Sequence, residues 1–477
     1  MKKLISLLIA FALLFALAGC GTGQQAEGGD TTPTEQPGQT NNDVPADETE
    51  EVTLKWVGAG WLANEKADTL IERWENDNPD VKVEYMELSN AADEEYLKNL
   101  DIMIASDEQI DLTYLTITDL LVRAINGAAL PINDAIANNG DDFEKDYTSL
   151  AVNMLSIDDN IYGVPYGNNT FKVFYNKTMT DAKGITIPEK WSYQEFTEIA
   201  KQLNDPDNNV WGCIFPSTWS DICFAPAEVS GWTMAKKDAS GNYVPNFDDE
   251  VFKTSMQWVY DLSMTEKVSP SYATIKAESL NRRVALANGQ TAMIVDGPYT
   301  LVFYQNYMFN DPGEGELGFE LGVTDLPYIT EEGGNNASYN TLVGAFWFPK
   351  TAAHLDEAYQ FARFICNGNF DKGVYMPAYT GADMQAATAT LMEFTDENGT
   401  LHENIYPYET VLRAVTLPNE SYIGYWNNDP AVYAKYVPAL YTLFNEQYTT
   451  YLSGAVSLDE FVETMQTLGA AEISNVN

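Results

Sequence analysis

The chain has 477 residues, enough for two or more domains, and 45% of them are hydrophobic, which permits a large core. Its 26 basic and 70 acidic residues give a formal net charge of −44. A chain this negative repels the phosphates of nucleic acids and the headgroups of anionic lipids, so neither is expected as a partner of the folded part.

The first residues have the pattern of an export signal. Lys2 and Lys3 precede an apolar stretch, residues 4–18, that is too short to span a bilayer comfortably. The sequence LAGC at 17–20 resembles the lipobox of bacterial lipoproteins, which implies cleavage before Cys20 and lipid on its sulfur and amine. Because several acyl chains make a stable anchor, residues 1–19 are predicted to be a lipoprotein signal peptide. Cys20 is the predicted lipidation site.

Residues 21–50 contain no aromatic residue and almost no apolar ones. Such a segment cannot bury enough surface to fold. Residues 20–50 are therefore predicted to be a lipidated cysteine followed by a disordered tether with a reach of about 30 Å. Beyond Cys20 the chain has Cys213, Cys223 and Cys366, an odd number. A disulfide between Cys213 and Cys223 is one alternative, and buried free thiols are favoured.

Globular patterning starts at residue 51. Val52, Leu54 and Trp56 alternate as a strand, a helical pattern follows over residues 64–77, and residues 81–85 form the next strand. This β-α-β order predicts a parallel sheet flanked by helices. Further along, Ser192-x-x-Glu195 and Ser457-x-x-Glu460 are capping boxes that each open a helix. Strands and helices alternate throughout, which predicts an α/β fold.

The motifs of common enzymes are missing. The two histidines, His354 and His402, stand outside any HExxH motif, and no CxxC, GxSxG or Walker A sequence occurs. The pattern Gly58-x-Gly60-x-x-Ala63 follows a strand, but Trp61 fills the turn that a dinucleotide would need. The half calcium loop at residues 205–209 lacks its glycine and its final glutamate, and is interpreted as a turn. We therefore predict no catalytic residue, no cofactor and no metal.

Aromatic residues stand beside small polar residues at several predicted strand ends. Aromatic rings stack on the C–H faces of sugars, while Asp and Asn pair with hydroxyl groups. Ordinary core packing is the alternative for each of them. The stretches concerned are Trp61, Tyr166–Asn169, Trp219, Trp232, Asp296–Tyr299 and Tyr425–Asn428.

Several stretches, in this order, resemble the family 1 extracellular solute-binding proteins of bacterial ABC sugar importers, the group that includes the maltose-binding protein. They are IYGVPYGNNTFKVFYNKTM (161–179), WSYQEFTEIAKQL (191–203), NGQTAMIVDGPY (288–299), LGVTDLPY (321–328) and LVGAFWFPKTAAHLDEAYQFARFI (342–365). The similarity extends from about residue 52 to the carboxyl terminus. Residues 386–424 match none of the family's motifs.

The resemblance implies a two-lobed type 2 periplasmic-binding-protein fold, with crossing hinge segments near residues 164–170 and 342–346 and a cleft between the lobes. The amino-terminal lobe would comprise residues 51–166 and 346–385, and the carboxyl-terminal lobe residues 167–345 and 386–477. Such a protein would be a monomer without enzymatic activity, anchored on the extracytoplasmic face of the membrane. Closure of its hinge on a sugar or oligosaccharide would present that ligand to an ABC transporter permease.

Residue by residue, the resemblance and the aromatic pattern predict the ligand contacts. Tyr299 corresponds to the aromatic residue after Gly-Pro that stacks on a sugar ring in the family, where Trp is usual. For Asp296 a cap on the turn is an equal alternative to a contact with a ligand hydroxyl. The predicted contacts are Trp61, Asp111, Thr116, Asn168, Asn169, Trp219, Trp232, Asp296, Tyr299, Tyr425 and Trp426.

Two other functions remain open at this point. The same fold could bind a solute other than a sugar. A protein of a different class, a secreted glycoside hydrolase, would need two carboxylates roughly 5–10 Å apart. Asp296 and Asp111 are the candidates for such a pair, although neither stands in a hydrolase motif.

Overall fold

The computed structural model describes residues 52–58, 64–88, 93–215, 220–310, 317–331, 339–367, 376–416 and 430–476, and the structural findings refer to these ranges. The predicted signal peptide, the lipidation site Cys20 and the predicted tether lie outside them.

The strands are β1 (Val52–Gly58), β2 (Val81–Glu87), β3 (Leu112–Thr116), β4 (Ser156–Ile157), β5 (Asn160–Ile161), β6 (Val164–Asn176), β7 (Ala235–Lys237), β8 (Tyr243–Pro245), β9 (Met293–Asp296), β10 (Leu321–Thr324), β11 (Tyr339–Trp347), β12 (Met376–Pro377), β13 (Phe394–Thr395) and β14 (Leu401–His402).

The α-helices are α1 (Asn64–Asp77), α2 (Asp93–Ala105), α3 (Ile117–Ile125), α4 (Asn133–Asn139), α5 (Phe143–Asp146), α6 (Ser149–Leu155), α7 (Lys177–Ala182), α8 (Tyr193–Leu203), α9 (Ser220–Val229), α10 (Glu250–Met264), α11 (Tyr272–Ala277), α12 (Arg282–Ala287), α13 (Tyr299–Phe309), α14 (Leu355–Cys366), α15 (Met384–Met392), α16 (Tyr408–Val415), α17 (Pro430–Leu452) and α18 (Leu458–Asn475).

The predicted β-α-β unit is confirmed. Strand β1 pairs in parallel with β2, with Val52 opposite Val81, and helix α1 connects them. The alternation of apolar residues explains the pairing, because Leu54 and Trp56 point into the core from one face of β1. Strand β3 extends the sheet, in parallel, on the other side of β1.

Strand β6 connects two parts of the main sheet. Its residues 164–171 pair antiparallel with residues 339–346 of β11, and β11 in turn pairs with β3. Its residues 172–176 pair antiparallel with β9 and β10. The β6–β11 ribbon thus runs between the part of the sheet that contains β1, β2 and β3 and the part that contains β9 and β10.

Local sequence signals explain several helix starts. In both predicted capping boxes the serine accepts from the glutamate's backbone N–H, and the glutamate accepts in return from the serine's N–H. These bonds begin helices α8 and α18. The predicted turn at residues 205–209 is confirmed as a short 3₁₀ turn that Asp205 caps.

The three cysteines of the described chain, Cys213, Cys223 and Cys366, are buried free thiols. This agrees with the favoured alternative, because no disulfide joins Cys213 to Cys223. Among the described helices, none combines the length and the hydropathy that a membrane crossing requires.

Candidate functional site

The sheet register brings Thr116 beside the β6–β11 ribbon. Thr116, at the carboxyl end of β3, lies opposite Gly344 of β11, and Gly344 lies opposite Gly167 of β6. A side chain at Gly344 would not fit, since a Cβ there would stand 2.2 Å from the carbonyl oxygen of Leu115. Thr116 is exposed and caps helix α3, accepting from the N–H of Asp119.

Asn168 and Asn169 follow Gly167 on β6 and are both buried, with 2% and 8% of their surface exposed. The carboxamide oxygen of each has no hydrogen-bond partner within the described part of the chain. Such an oxygen costs about 1–3 kcal/mol when it stays unpaired. A ligand hydroxyl that donates to it would remove this cost.

Asp296 ends strand β9, directly opposite Lys172 of β6. Its carboxylate is fully buried and accepts from Arg283 Nε (2.7 Å) and Nη2 (3.1 Å), while Arg282 Nε stands 2.9 Å away. The backbone N–H of Gly297 donates to the same carboxylate at 2.8 Å. Asp296 therefore caps its own turn and holds two arginines, so the geometry favours the cap over the ligand contact.

Tyr299 begins helix α13 and packs on this ion-pair cluster. The guanidinium carbon of Arg283 lies 4.8 Å from the centre of its ring, and a Cβ on Gly297 would lie 2.5 Å from its Cε1 atom. Burial, followed by the negative charge of Asp296, raises the pKa of Tyr299 well above its usual value. Its phenol is therefore neutral at physiological pH and can act as a hydrogen-bond donor.

These residues share one region of the fold. Lys172, opposite Asp296, is three residues beyond Asn169 on β6, which is about 10 Å at the rise of a strand. Helix α13 then follows β9 after a two-residue turn. We name this group the crossing site, and it consists of Thr116, Asn168, Asn169, Asp296 and Tyr299.

Asp111 lies elsewhere. It precedes β3, about 16 Å along the strand from Thr116. Its buried carboxylate accepts from the backbone N–H groups of Lys55 (2.8 Å), Ala353 (2.8 Å) and His354 (3.1 Å), and from Gln109 Nε2 (2.8 Å). It thereby ties β1 to the start of helix α14. The geometry does not support ligand contact here, and Asp111 is left out of the crossing site.

Trp232 is a core residue of the part of the chain around helix α10. Its ring stacks on Phe252 at a centroid distance of 4.6 Å, and its indole N–H donates to the carbonyl of Asn246 at 2.6 Å. With 2% of its surface exposed, it offers no face to a ligand, so it is also left out. The other predicted contacts, Trp61, Trp219, Tyr425 and Trp426, lie outside the described residues.

The carboxylate pair of a glycoside hydrolase is not formed by Asp111 and Asp296. Each carboxylate is occupied by protein donors, and Asp111 lies at the end of β3 remote from the crossing site. A retaining or inverting hydrolase needs both carboxylates on either side of one glycosidic bond. The hydrolase alternative therefore has no support in the described residues.

Sequence reasoning missed Arg282 and Arg283, which both contact Asp296, and Arg283 also packs on the ring of Tyr299. The available signal was the adjacent pair of arginines in a chain whose acidic residues outnumber its basic ones by 70 to 26. Basic residues are scarce here, so two in succession shortly before a buried strand suggest a buried carboxylate partner.

Comparisons with known proteins identify the family and the fold. The profile of the bacterial extracellular solute-binding protein family matches residues 60–366. The galactooligosaccharide-binding protein of Bacillus subtilis (strain 168) is 23% identical over 244 residues, which is 49% of this chain and 52% of that protein. An uncharacterized lipoprotein of Streptomyces antibioticus is 25% identical over 213 residues, which is 43% of this chain and 40% of that protein. The matches thus span about half the length of these curated relatives, or less.

Solved structures share the fold over nearly their whole length. A sugar transporter from Rhizobium etli in an open conformation has a TM-score of 0.68 at 20% identity, covering 88% of this chain and 99% of that one. An ABC substrate-binding protein from Listeria monocytogenes in complex with cycloalternan has a TM-score of 0.61 at 17% identity, covering 90% and 98%. A cyclo/maltodextrin-binding protein complexed with maltotetraose has a TM-score of 0.63 at 14% identity, covering 88% and 97%. The predicted two-lobed α/β fold is confirmed.

Proposed function

Because this chain belongs to the family of bacterial extracellular solute-binding proteins, we propose that it captures a sugar or oligosaccharide outside the cell and delivers it to an ABC transporter permease. The relatives named for galactooligosaccharide, cycloalternan and maltotetraose support a saccharide as the ligand. The protein would act as a monomer and would bind its ligand without changing it chemically.

Hinge closure is the proposed mechanism. The β6–β11 ribbon is the pair of crossing segments, with residues 51–166 and 346–385 as one lobe and residues 167–345 and 386–477 as the other. Ligand must bind the closed state more tightly than the open state, because only differential affinity can shift the equilibrium between them. The permease would then recognise the closed arrangement of the two lobes.

The unpaired carboxamide oxygen of Asn169 carries the proposal. It is buried on the ribbon that would form the hinge, and it lacks a donor within the described residues. Buried acceptors in proteins are nearly always paired. A saccharide offers hydroxyl donors in abundance, so a bound sugar is the simplest partner for this oxygen.

The packing of β6 favours Asn169 over Asn168 as the ligand contact. Neighbouring residues of a strand point to opposite faces, so a single ligand reaches one of the two. Asn168 shares its face with Thr170, two residues further along the strand. Thr170 donates to a backbone carbonyl of α16 at 2.7 Å. Asn169 shares its face with Gly167, which has no side chain to fill the adjacent space.

A thermal-shift screen of the Cys20→Ser protein against neutral mono- and oligosaccharides tests the proposal. A ligand at 100 times its Kd stabilises the folded state by about 2.7 kcal/mol. Asn169→Ala should weaken binding of a hit about tenfold or more, while Asn168→Ala, the matched control on the opposite face, should weaken it much less.

The outcomes separate the alternatives. If no saccharide shifts the melting temperature but another class of solute does, the fold binds a non-sugar ligand and our proposal is wrong. Release of reducing ends from a labelled oligosaccharide would point to the hydrolase instead. Equal losses from Asn168→Ala and Asn169→Ala would contradict the assignment of the ligand to one face.

Membrane attachment through Cys20 is part of the proposal, supported by the lipobox-like sequence LAGC at 17–20. In a bacterial host the wild-type protein should partition into the detergent phase of Triton X-114, since acyl chains give strong membrane affinity. Cys20→Ser should move it to the aqueous phase. Equal partitioning of the two proteins would refute the anchor and leave the ligand-binding proposal untouched.

A further inference from the structure

A cavity of about 350 Å³ lies at helices α11 and α12, beside the crossing site. Ile275 and Leu280 provide its apolar lining, and its polar lining consists of Lys276, Ser279, Asn281, Arg282 and Arg283. This volume falls within the range of small-molecule sites, about 300–1,000 Å³. It is large enough for a substituted sugar unit.

Arg283 connects this cavity to Tyr299. Arg283 is one of the lining residues, and its guanidinium carbon lies 4.8 Å from the centre of the Tyr299 ring. Asp296, which holds Arg283, ends β9 opposite Lys172, which lies about 10 Å along β6 from Asn169. A ligand that stacks on Tyr299 could therefore extend into the cavity.

The cavity lining is basic, whereas the chain as a whole is strongly acidic. The chain has 26 basic and 70 acidic residues, yet the described residues that line the cavity include three basic ones and no Asp or Glu. Lys276 is exposed and forms no ion pair within the described part of the chain, although its ammonium lies 5.8 Å from the centre of the Tyr272 ring. The lining therefore favours an anionic group.

Arg283 is held in place by contacts within the protein. Two of its nitrogens, Nε and Nη2, bond both oxygens of the buried Asp296, which leaves Nη1 for another acceptor. Its guanidinium also lies 5.4 Å from the centre of the Phe303 ring. Such a guanidinium loses little freedom on binding, and planar anions such as carboxylates match its geometry.

We propose that this cavity is a subsite for an acidic substituent, a carboxylate or a sulfate ester, on the saccharide that the crossing site binds. The inference rests on the proposed function and narrows the ligand to acidic saccharides. Lys276 and Arg283 attract the anion, and Ser279 and Asn281 can donate hydrogen bonds to it.

Calorimetric titration of the full chain carrying Cys20→Ser tests this with three oligosaccharides of equal length. One is neutral, one carries a uronic acid unit, and one carries a sulfate ester. We expect at least one acidic saccharide to bind about tenfold or more tightly than the neutral one. Whichever of the two acidic saccharides binds more tightly identifies the preferred anion as a carboxylate or a sulfate ester.

Two lysine variants provide the control. Lys276→Met should weaken binding of the acidic saccharide about tenfold and leave the affinity for the neutral saccharide unchanged. Lys237 also lies over a tyrosine ring, 5.2 Å from the centre of Tyr243, but it is far in sequence from the cavity lining. Lys237→Met should therefore change the affinity for neither the acidic nor the neutral saccharide. Tighter or equal binding of the neutral saccharide overturns the inference and leaves the proposed function intact. Failure of all three to bind, together with a thermal-shift screen in which no saccharide stabilises the protein, overturns both.

Discussion

Arg283 places its guanidinium carbon 4.8 Å from the centre of the Tyr299 ring while two of its nitrogens bond the carboxylate of Asp296. The carboxylate fixes the cation, and the cation packs on the ring. Strand β9, helix α12 and the start of helix α13 are tied together by these contacts. The aromatic residue of the crossing site is therefore positioned by an ion pair between side chains of the protein itself.

Loss of Asp296 should destabilise the fold. Asp296→Ala leaves the guanidinium groups of Arg282 and Arg283 without their shared carboxylate, which should lower the free energy of unfolding by about 3–5 kcal/mol. Asp248→Ala is the control, because it breaks the exposed pair with Lys236 and should cost about 0–1 kcal/mol. Urea denaturation measures both values, and equal losses would contradict the structural role of Asp296.

Gly297 and Tyr299 should act as one unit in ligand binding. A Cβ at residue 297 would stand 2.5 Å from the Tyr299 ring, so Gly297→Ala should displace the ring. We expect Gly297→Ala and Tyr299→Ala each to weaken saccharide binding about tenfold or more. The double variant should be no weaker than Tyr299→Ala alone.

A substitution at another glycine is the control for these single and double variants. Apart from its two chain neighbours, no atom of the described residues lies within 4 Å of a Cβ built on Gly318, so Gly318→Ala should bind like the wild type. If the effects of Gly297→Ala and Tyr299→Ala add in full, the two positions act independently. If Tyr299→Ala binds normally, or the unliganded variant is unfolded, the proposed stacking role is wrong.

Asp111 should affect stability and not ligand affinity. Asp111→Ala leaves four donors without their acceptor, including the N–H groups of Ala353 and His354 before helix α14. The free energy of unfolding should fall by about 3 kcal/mol. Urea denaturation measures that loss and calorimetry measures the affinity. If Asp111→Ala is as stable as the wild type but no longer binds ligand, the ligand contact predicted from the sequence is supported instead.

Stability should fall above pH 10, in part through Tyr96. Burial raises the pKa of Tyr96 to about 12, although its hydrogen bond with Thr113 lowers it somewhat. In the unfolded chain the phenol loses its proton near pH 10, so between pH 10 and 12 the unfolded state binds fewer protons. Each pH unit in this window should cost up to about 1.4 kcal/mol through this residue.

Urea midpoints between pH 9 and pH 12 measure this slope. Tyr96→Phe should make the decline shallower, since the variant has no proton to lose at this position. Tyr408→Phe is the control, because Tyr408 is exposed and its hydroxyl can be removed without emptying the core. An unchanged slope in Tyr96→Phe would show that Tyr96 does not contribute to alkaline unfolding.

The cysteines should react with a thiol reagent only after unfolding. In the Cys20→Ser protein, Cys213, Cys223 and Cys366 are buried, and burial raises the pKa of the Cys213 and Cys366 thiols above the usual range. Since the thiolate is the reactive form, we expect no reaction in the native state and three thiols in denaturant without reductant. One thiol in denaturant would instead indicate a disulfide.

Part of the crossing site could be predicted from the sequence. Tyr299, Asn168 and Asn169 were placed by the family resemblance, and all three lie near the β6–β11 ribbon. The contacts of Asp111 do not support its predicted role as a ligand contact, and the sequence could not show this because an acidic residue beside a strand looks the same at either end of that strand. The burial of Trp232 likewise does not support its predicted ligand contact, and the sequence could not show this because a tryptophan next to a glycine occurs both in cores and in clefts.

The sequence by itself determined the features that depend on neighbouring residues. The β-α-β unit and the two capping boxes follow from periodicity and from hydrogen bonds over three or four positions. Only the tertiary structure decided which carboxylates are occupied. Asp111 accepts a hydrogen bond from the N–H of Ala353, which is 242 positions away in the chain. Asp296 on strand β9 accepts a hydrogen bond from Arg283 on helix α12. Whether a buried carboxylate is free for a ligand depends on such donors, and their approach is set by packing, which no local pattern encodes.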